Sequence, residues 1–350
     1  MIDFRYHIVS LISVFLALAV GIVLGAGPLK EAIGDTLTGE VEQLRSRAAD
    51  LRDELDDAGM LLARSERALD AVAPDLLDGV LAERRVAVVV MGDTEPDVLT
   101  EVNSRLLQSG AQVSAYVQIT DAWMDPETRA FRRSLTATLV GYLQVVPAPD
   151  AGTAAELAEA LAQGLTMAEA DDPDVLAADA GLVLELLSEA ELISLDSDVT
   201  QPADAIVFVL GAIPGPTVDP DEDAADAREA HLAEVVFPAA MQIALAAQER
   251  STGAVVAAVG AADLGLLELL LDDNSVSSQI SSVALLSSLA GQVSVPLALS
   301  ARIDGSVGHY GPGDATAPMP RRVVLPPIDR RSDAGGGGEQ ETPPEDGDGG

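Results

Sequence analysis

Residues 85–93, RVAVVVMGD, decide the architecture: one arginine, six apolar residues without a polar alternate, and a Gly-Asp turn. An unbroken apolar run of that length, rich in β-branched residues, describes a strand buried on both faces. The stretch 97–110 follows with apolar residues at Val98, Val102, Leu106 and Leu107 and stops at Gly110, as a helix does. Residues 112–120 return as a strand. A β-α-β unit implies a parallel sheet, because parallel neighbours need a crossover connection.

The alternation persists toward the C-terminus. Helices are expected at about 127–142, 153–163 and 174–188, then a buried strand at 205–211, a long helix at about 225–249 and another strand at 254–260. Residues 274–290 are serine-rich and read as strand or irregular connection. A last helix is expected to begin near Ser294, with Pro296 in its first turn, and to end before Gly305. From about residue 313 proline, glycine and acids dominate, ending in GGGGEQETPPEDGDGG. Such a segment cannot bury enough apolar surface to offset its ordering entropy, so residues 313–350 are expected to form a disordered acidic tail.

Upstream of the first strand, Leu76 to Arg84 is a short amphipathic lead-in, and Ala73-Pro74-Asp75 is expected to close a preceding helix. Leu37, Val41, Leu44, Ala48, Leu51, Leu55, Ala58, Leu62, Ser65, Leu69 and Val72 recur at alternating steps of four and three. A strict 3.5-residue period over about five heptads argues for a supercoiled partner, so residues 37–73 read as a coiled-coil stalk. A parallel homodimer is the simplest partner; a monomeric helix packed back on the body is the alternative. Small side chains at Ala48, Ala58 and Ser65 weaken the seam, and Arg47 would face Arg52 across it.

Pro28 to Thr36 reads as a connector. Before it, Ile8 to Gly27 holds about twenty residues without a charge, flanked by Arg5 and Lys30. At roughly 1.5 Å rise per residue that helix crosses a bilayer core of about 30 Å. The competing reading is a cleaved signal with Gly25-Ala26-Gly27 before the cut, but the run is longer than a signal's apolar region. Residues 1–29 are therefore expected to be an uncleaved anchor in the lipid bilayer. Flanking charge favours an inside N-terminus, which puts residues 76–312, the α/β domain, outside the cytoplasmic membrane.

The chain has 57 acids against 20 cations, a formal net charge of -37. That balance repels nucleic acid, whose binding needs Lys and Arg on phosphates, so no nucleic-acid partner is expected. Zero cysteines exclude disulfides and thiolate metal sites.

Catalytic signatures are missing: no GxSxG, HExxH or SxxK occurs. The turn after the first strand, Gly92-Asp93-Thr94-Glu95-Pro96, sets carboxylates where a phosphate would need positive charge, and there is no GxxxxGK(S/T) and no GxGxxG after a strand. No enzyme, no catalytic residue and no bound cofactor is expected. Acid pairs at Asp171-Asp172, Asp272-Asp273 and Asp219 to Asp223 read as solvated surface. His7, His231 and His309 lie far apart, and Met91, Met167 and Met241 read as core packing rather than copper ligands, so the residues themselves define no metal site.

The opening residues 1–29, MIDFRYHIVSLISVFLALAVGIVLGAGPL, together with Ser251-Thr252-Gly253-Ala254 and Gly308-His309-Tyr310-Gly311, resemble the actinobacterial MctB family of copper transport proteins and its SteB relatives. The resemblance implies an envelope protein that keeps intracellular copper low, with an outer-envelope location among the family's descriptions. For the SteB branch it implies a membrane-anchored scaffold or regulator of a peptidoglycan hydrolase. Residues 281–290, SSVALLSSLA, lack the acid and amide that members usually carry there. The whole is expected to be an anchored α/β protein with a mostly parallel, Rossmann-like sheet and a dimeric stalk.

Overall fold

In the computed structural model, residues 4–26, 28–215, 224–260, 264–312 and 317–330 are described. The chain divides into two compact units, Met1–Arg67 and Ala68–Gly350. The first contains helix α1, Phe4–Ala26, and most of helix α2, Pro28–Leu77.

The apolar run of the sequence is α1, and its side chains from Phe4 to Val23 are unburied. That twenty-residue, predominantly apolar window matches the length a bilayer core requires. A second helical stretch, Ala227–Arg250, is long and apolar enough by the same test, yet 39% of it is buried and it belongs to the core of the second unit.

Two boundaries differ from expectation. Residues 28–36 are helix rather than connector, since a proline is tolerated in a first turn, where its missing N–H costs no hydrogen bond. Nor does Pro74 end α2. Ala73 and Leu77 on either side of it are fully buried in the second unit, and that packing holds one more helical turn past the lost hydrogen bond.

The second unit is built on a seven-stranded sheet in the order β3-β2-β1-β4-β5-β6-β7. Its elements run β1 Arg85–Met91, α3 Pro96–Gln108, β2 Gln112–Ile119, α4 Arg129–Leu139, α5 Thr153–Thr166, α6 Ala178–Glu189, β3 Ile193–Leu195, β4 Ala205–Leu210, α7 Ala224–His231, α8 Phe237–Arg250, β5 Ala254–Ala258, α9 Leu264–Asp272, α10 Asn274–Ser277, β6 Ser281–Val283, α11 Leu289–Ile303 and β7 His309–Tyr310. Every pairing is parallel except β2 with β3 at one edge.

Strands β1, β4 and β5 are buried along their whole length, and successive side chains feed opposite layers. Ala87, Val89, Met91 and Phe208 enter one core with α5, α6 and α8. Val86, Val88, Val90 and Val207 enter the other with α3, α11 and the end of α2. Helices on both faces are what a parallel sheet with no polar alternate requires.

Several elements shift from the sequence reading. Helix α6 begins at Ala178 rather than Asp174, because Leu176 and Ala177 give their N–H groups to Thr200 O and Met167 O. The last helix begins at Leu289, where the Ser288 hydroxyl accepts from Gly291 N at 3.1 Å, so Pro296 sits in its interior. The serine-rich stretch resolves into α10 and β6. The tail expected to be disordered from residue 313 is ordered over 317–330: Arg322 donates to Asp78 O at 2.7 Å and Arg330 forks onto Asp204. Residues 313–316 and 331–350 lie outside the described residues.

Candidate functional site

In an open parallel sheet a ligand sits at the carboxyl ends of the strands, where the strand order reverses. That reversal falls here between β1 and β4. The two loops at this point pair with each other instead of leaving a crevice. Asp93 N donates to Ala212 O and Ala212 N to Asp93 O, both at 2.8 Å, and Gly211 N donates to Met91 O at 2.8 Å. Gln118 Nε2 reaches Gly92 O at 3.1 Å. The backbone N–H groups of Asp93, Gly211 and Ala212 are thus already bonded within the fold.

Two glycines permit the closure. Gly92 has φ +82, and a Cβ there would lie 2.8 Å from Ala212 O. A Cβ on Gly211 would fall onto Asp93 O and Thr94 Oγ1, closer than side chains approach. The Thr94 hydroxyl is buried beside this contact without a hydrogen-bond partner.

His309 lies at the far edge of the sheet, on β7. Its Nδ1 is 3.0 Å from Ser282 Oγ on β6, and the ring also bonds the backbone of Ser277. Gly308 N donates to Ser281 Oγ at 3.2 Å, and Ser282 N to Gly308 O at 3.0 Å. Burial holds the His309 pKa below its ordinary value, with the Ser277 bond opposing it. The imidazole braces three short elements, and ligating a metal through Nδ1 would displace the Ser282 hydroxyl.

The second motif stands at the opposite end of the strands. Ser251 Oγ bonds Ala247 O at 2.6 Å, and Thr252 Oγ1 and N both donate to Asp204 O, at 2.7 and 2.8 Å. Both motif stretches therefore cross-link backbone, at separate places. Met91 and Met167 are buried in one core and Met241 packs against it. No group of three or more His, Cys, Asp or Glu that could hold a metal occurs among the described residues. Asp171, Asp172 and Asp272 are exposed, whereas Asp273 caps α10, accepting from the Ser275 hydroxyl at 2.5 Å and from Ser275 N at 2.8 Å, bonds that lower its pKa. The acid run 219–223 lies outside the described residues.

A charged network that the sequence reading did not find closes the amino end of the sheet. The Arg85 side chain, 2% exposed, meets Asp174 Oδ1 at 3.0 Å and Asp204 Oδ2 at 3.9 Å. Asp204 Oδ2 also accepts from Arg85 N at 2.7 Å. Arg330 then clamps Asp204 with two bonds, Nε to Oδ1 at 2.9 Å and Nη2 to Oδ2 at 2.8 Å. Burial lowers the Arg85 pKa and the Asp204 charge opposes that, while the Asp204 bond raises the Arg330 pKa. Beside the network opens a cavity of about 740 Å³ lined by Gln163, Glu169, Asp171, Glu249, Arg250 and Arg330 among others. Arg250 is ion-paired with Glu159 in its wall.

These features define a class: an α/β protein with an N-terminal apolar helix, a closed switch point and a charge-sealed opposite end. The sequence profile described as "Copper transport outer membrane protein, MctB" matches residues 1–320, and the chain belongs to that family. It is 28% identical over 320 residues to the copper transporter MctB of Mycobacterium tuberculosis and to that of Mycobacterium bovis, covering 89% of this chain and 97% of each relative. The copper transporter MctB of Mycobacterium leprae is 27% identical over 135 residues, 39% of this chain and 43% of the relative.

Proposed function

We propose that this chain is a membrane-anchored, non-enzymatic cell-envelope protein that helps keep intracellular copper low. One observation carries the reading: the family match spans residues 1–320, from the apolar helix past the His309 strand, and two relatives aligned over 320 residues are named copper transporters. In this reading α1 stays in the bilayer with its N-terminus inside, and the α/β unit stands on the extracytoplasmic side.

Helix α2 supplies the rest. Val41, Leu44, Leu51, Leu55 and Leu62 are all exposed along it at the alternating spacing of a coiled-coil seam. Two chains fixed in one membrane meet in parallel, so the stripe is assigned to a homodimer. A single apolar helix gives no path for an ion, so copper passes through an assembly or by hand-over to a partner.

The test is cell-associated copper in a deletion strain grown with added metal. Copper is expected to rise on deletion and to return to the parental level with the full chain. An unchanged content would overturn the copper reading and leave the scaffold for a peptidoglycan hydrolase as the function to pursue.

A further inference from the structure

Beyond the end of β2, Trp123 forms the buried floor of a slot of about 240 Å³. Its walls include Leu157 of α5 and Pro238 of α8, and it adjoins a π-helical turn, Leu232–Val236, that leads into α8. Such widened turns in a helix concentrate at functional sites.

The lining carries three arginines of α4. Arg132 is committed to the fold, donating to Ala122 O at 2.9 Å, Asp125 O at 2.5 Å and Thr128 Oγ1 at 2.5 Å. Arg129 and Arg133, one helical turn apart, are exposed, and their side chains have no hydrogen bond or ion pair among the described residues. Glu234 is the one carboxylate in the lining. In a chain with 57 acids and 20 cations, the slot's own lining carries three arginines against one acid, with Asp125 and Glu127 on the turn before α4 outside that lining.

We propose that this slot docks an acidic peptide segment of a partner protein, with one bulky apolar side chain seated against Trp123 and flanking carboxylates on Arg129 and Arg133. The volume favours a single side chain, since small-molecule sites run to about 300–1,000 Å³. An apolar anchor in a pocket with arginine at its rim is how interface energy concentrates. A net charge of -37 opposes every anionic partner, but an extended anionic bilayer meets the charge of the whole face, whereas a short segment seated in the slot lies within about 8 Å of its lining, the screening length at physiological salt, and meets mainly the local arginines. The inference stands independently of the copper reading.

Trp123 is the only tryptophan in the chain, so its fluorescence reports the core wall that borders the slot. Full-length protein in zwitterionic nanodiscs would be titrated with the acetylated pentapeptide Asp-Glu-Phe-Glu-Asp. A saturable emission change is expected, weakened roughly tenfold or more in the Arg129→Ser/Arg133→Ser double variant and lost when the peptide's Phe is Ala. The Arg129→Lys/Arg133→Lys variant should bind between the two, with all melting temperatures unchanged. The proposal is overturned by no saturable response to the acidic peptide, by equal affinity for the peptide with Lys in place of each acid, or by an emission change that the double serine variant abolishes and that appears only with phosphatidylglycerol nanodiscs.

Discussion

The two ends of the sheet are closed by different physics. At the carboxyl end the loops after β1 and β4 pair through backbone, with glycine on each side and no charged side chain among the bonds. At the amino end the closure is ionic, built from Arg85, Asp174, Asp204 and Arg330, the last 126 residues from its carboxylate partner in sequence. A backbone closure gives way to an added methyl group and is indifferent to salt. An ionic closure is indifferent to shape, and loses most when a buried charge is left alone.

The largest effect is expected at the amino end. Asp204→Ala would leave the guanidinium of Arg85 buried beside Arg330, with only the exposed carboxylates of Asp174 and Asp172 to oppose them, at a cost of about 3–5 kcal/mol in chemical denaturation. A cost under 1 kcal/mol would show that water enters and that the end is not sealed. Gly211→Ala tests the other end, where a Cβ would drive the two loops apart; about 1–3 kcal/mol is expected. Unchanged stability in 1 M salt (roughly a 3 Å screening length) should mark this variant's cost as steric, and a salt-dependent cost would erase the contrast between the ends.

What could be read from the sequence follows the same division. Strand β1 was legible because a strand buried on both faces carries its signal within seven residues, and β4 and β5 repeat it. Strands β3, β6 and β7 have two or three residues each, and their place depends on neighbours that no local window contains. Pro74 misled because its helix is held by Ala73 and Leu77 from across the core, and the tail boundary misled because Arg322 and Arg330 tether 317–330 to remote acceptors. Among 57 acids nothing local distinguishes Asp204 from a solvated carboxylate. The one available hint was Arg85 itself, a cation opening a wholly apolar strand.

Smaller effects sharpen the contrast at the periphery. Arg330→Ala removes a partly exposed clamp, its side chain 20% accessible, while Arg85 still partners Asp204. About 1 kcal/mol is expected, falling as salt rises. Cleavage by a protease within 317–330 should accelerate, and an unaltered cleavage rate would mean that Arg322 and the Arg84 bond to Pro326 O at 3.0 Å hold the segment unaided.

The smallest effect is expected where β6 meets β7. The folded pKa of His309 lies below the ordinary value of 6.5 because burial disfavours the imidazolium. Between the two values the unfolded chain binds more protons than the folded one, so the stability this group contributes is complete above pH 6.5 and is lost as pH falls through that value toward the folded pKa. Protonation would also place a hydrogen on both ring nitrogens, so that Nδ1 can then only donate to the Ser282 hydroxyl 3.0 Å away. The melting temperature is therefore expected to drop as pH falls below 6.5, and the drop should be smaller in His309→Gln, which keeps a polar side chain but cannot titrate. Identical pH profiles for the two proteins would mean that the strand edge opens before the ring is protonated, and that the brace is weaker than its 3.0 Å contact implies.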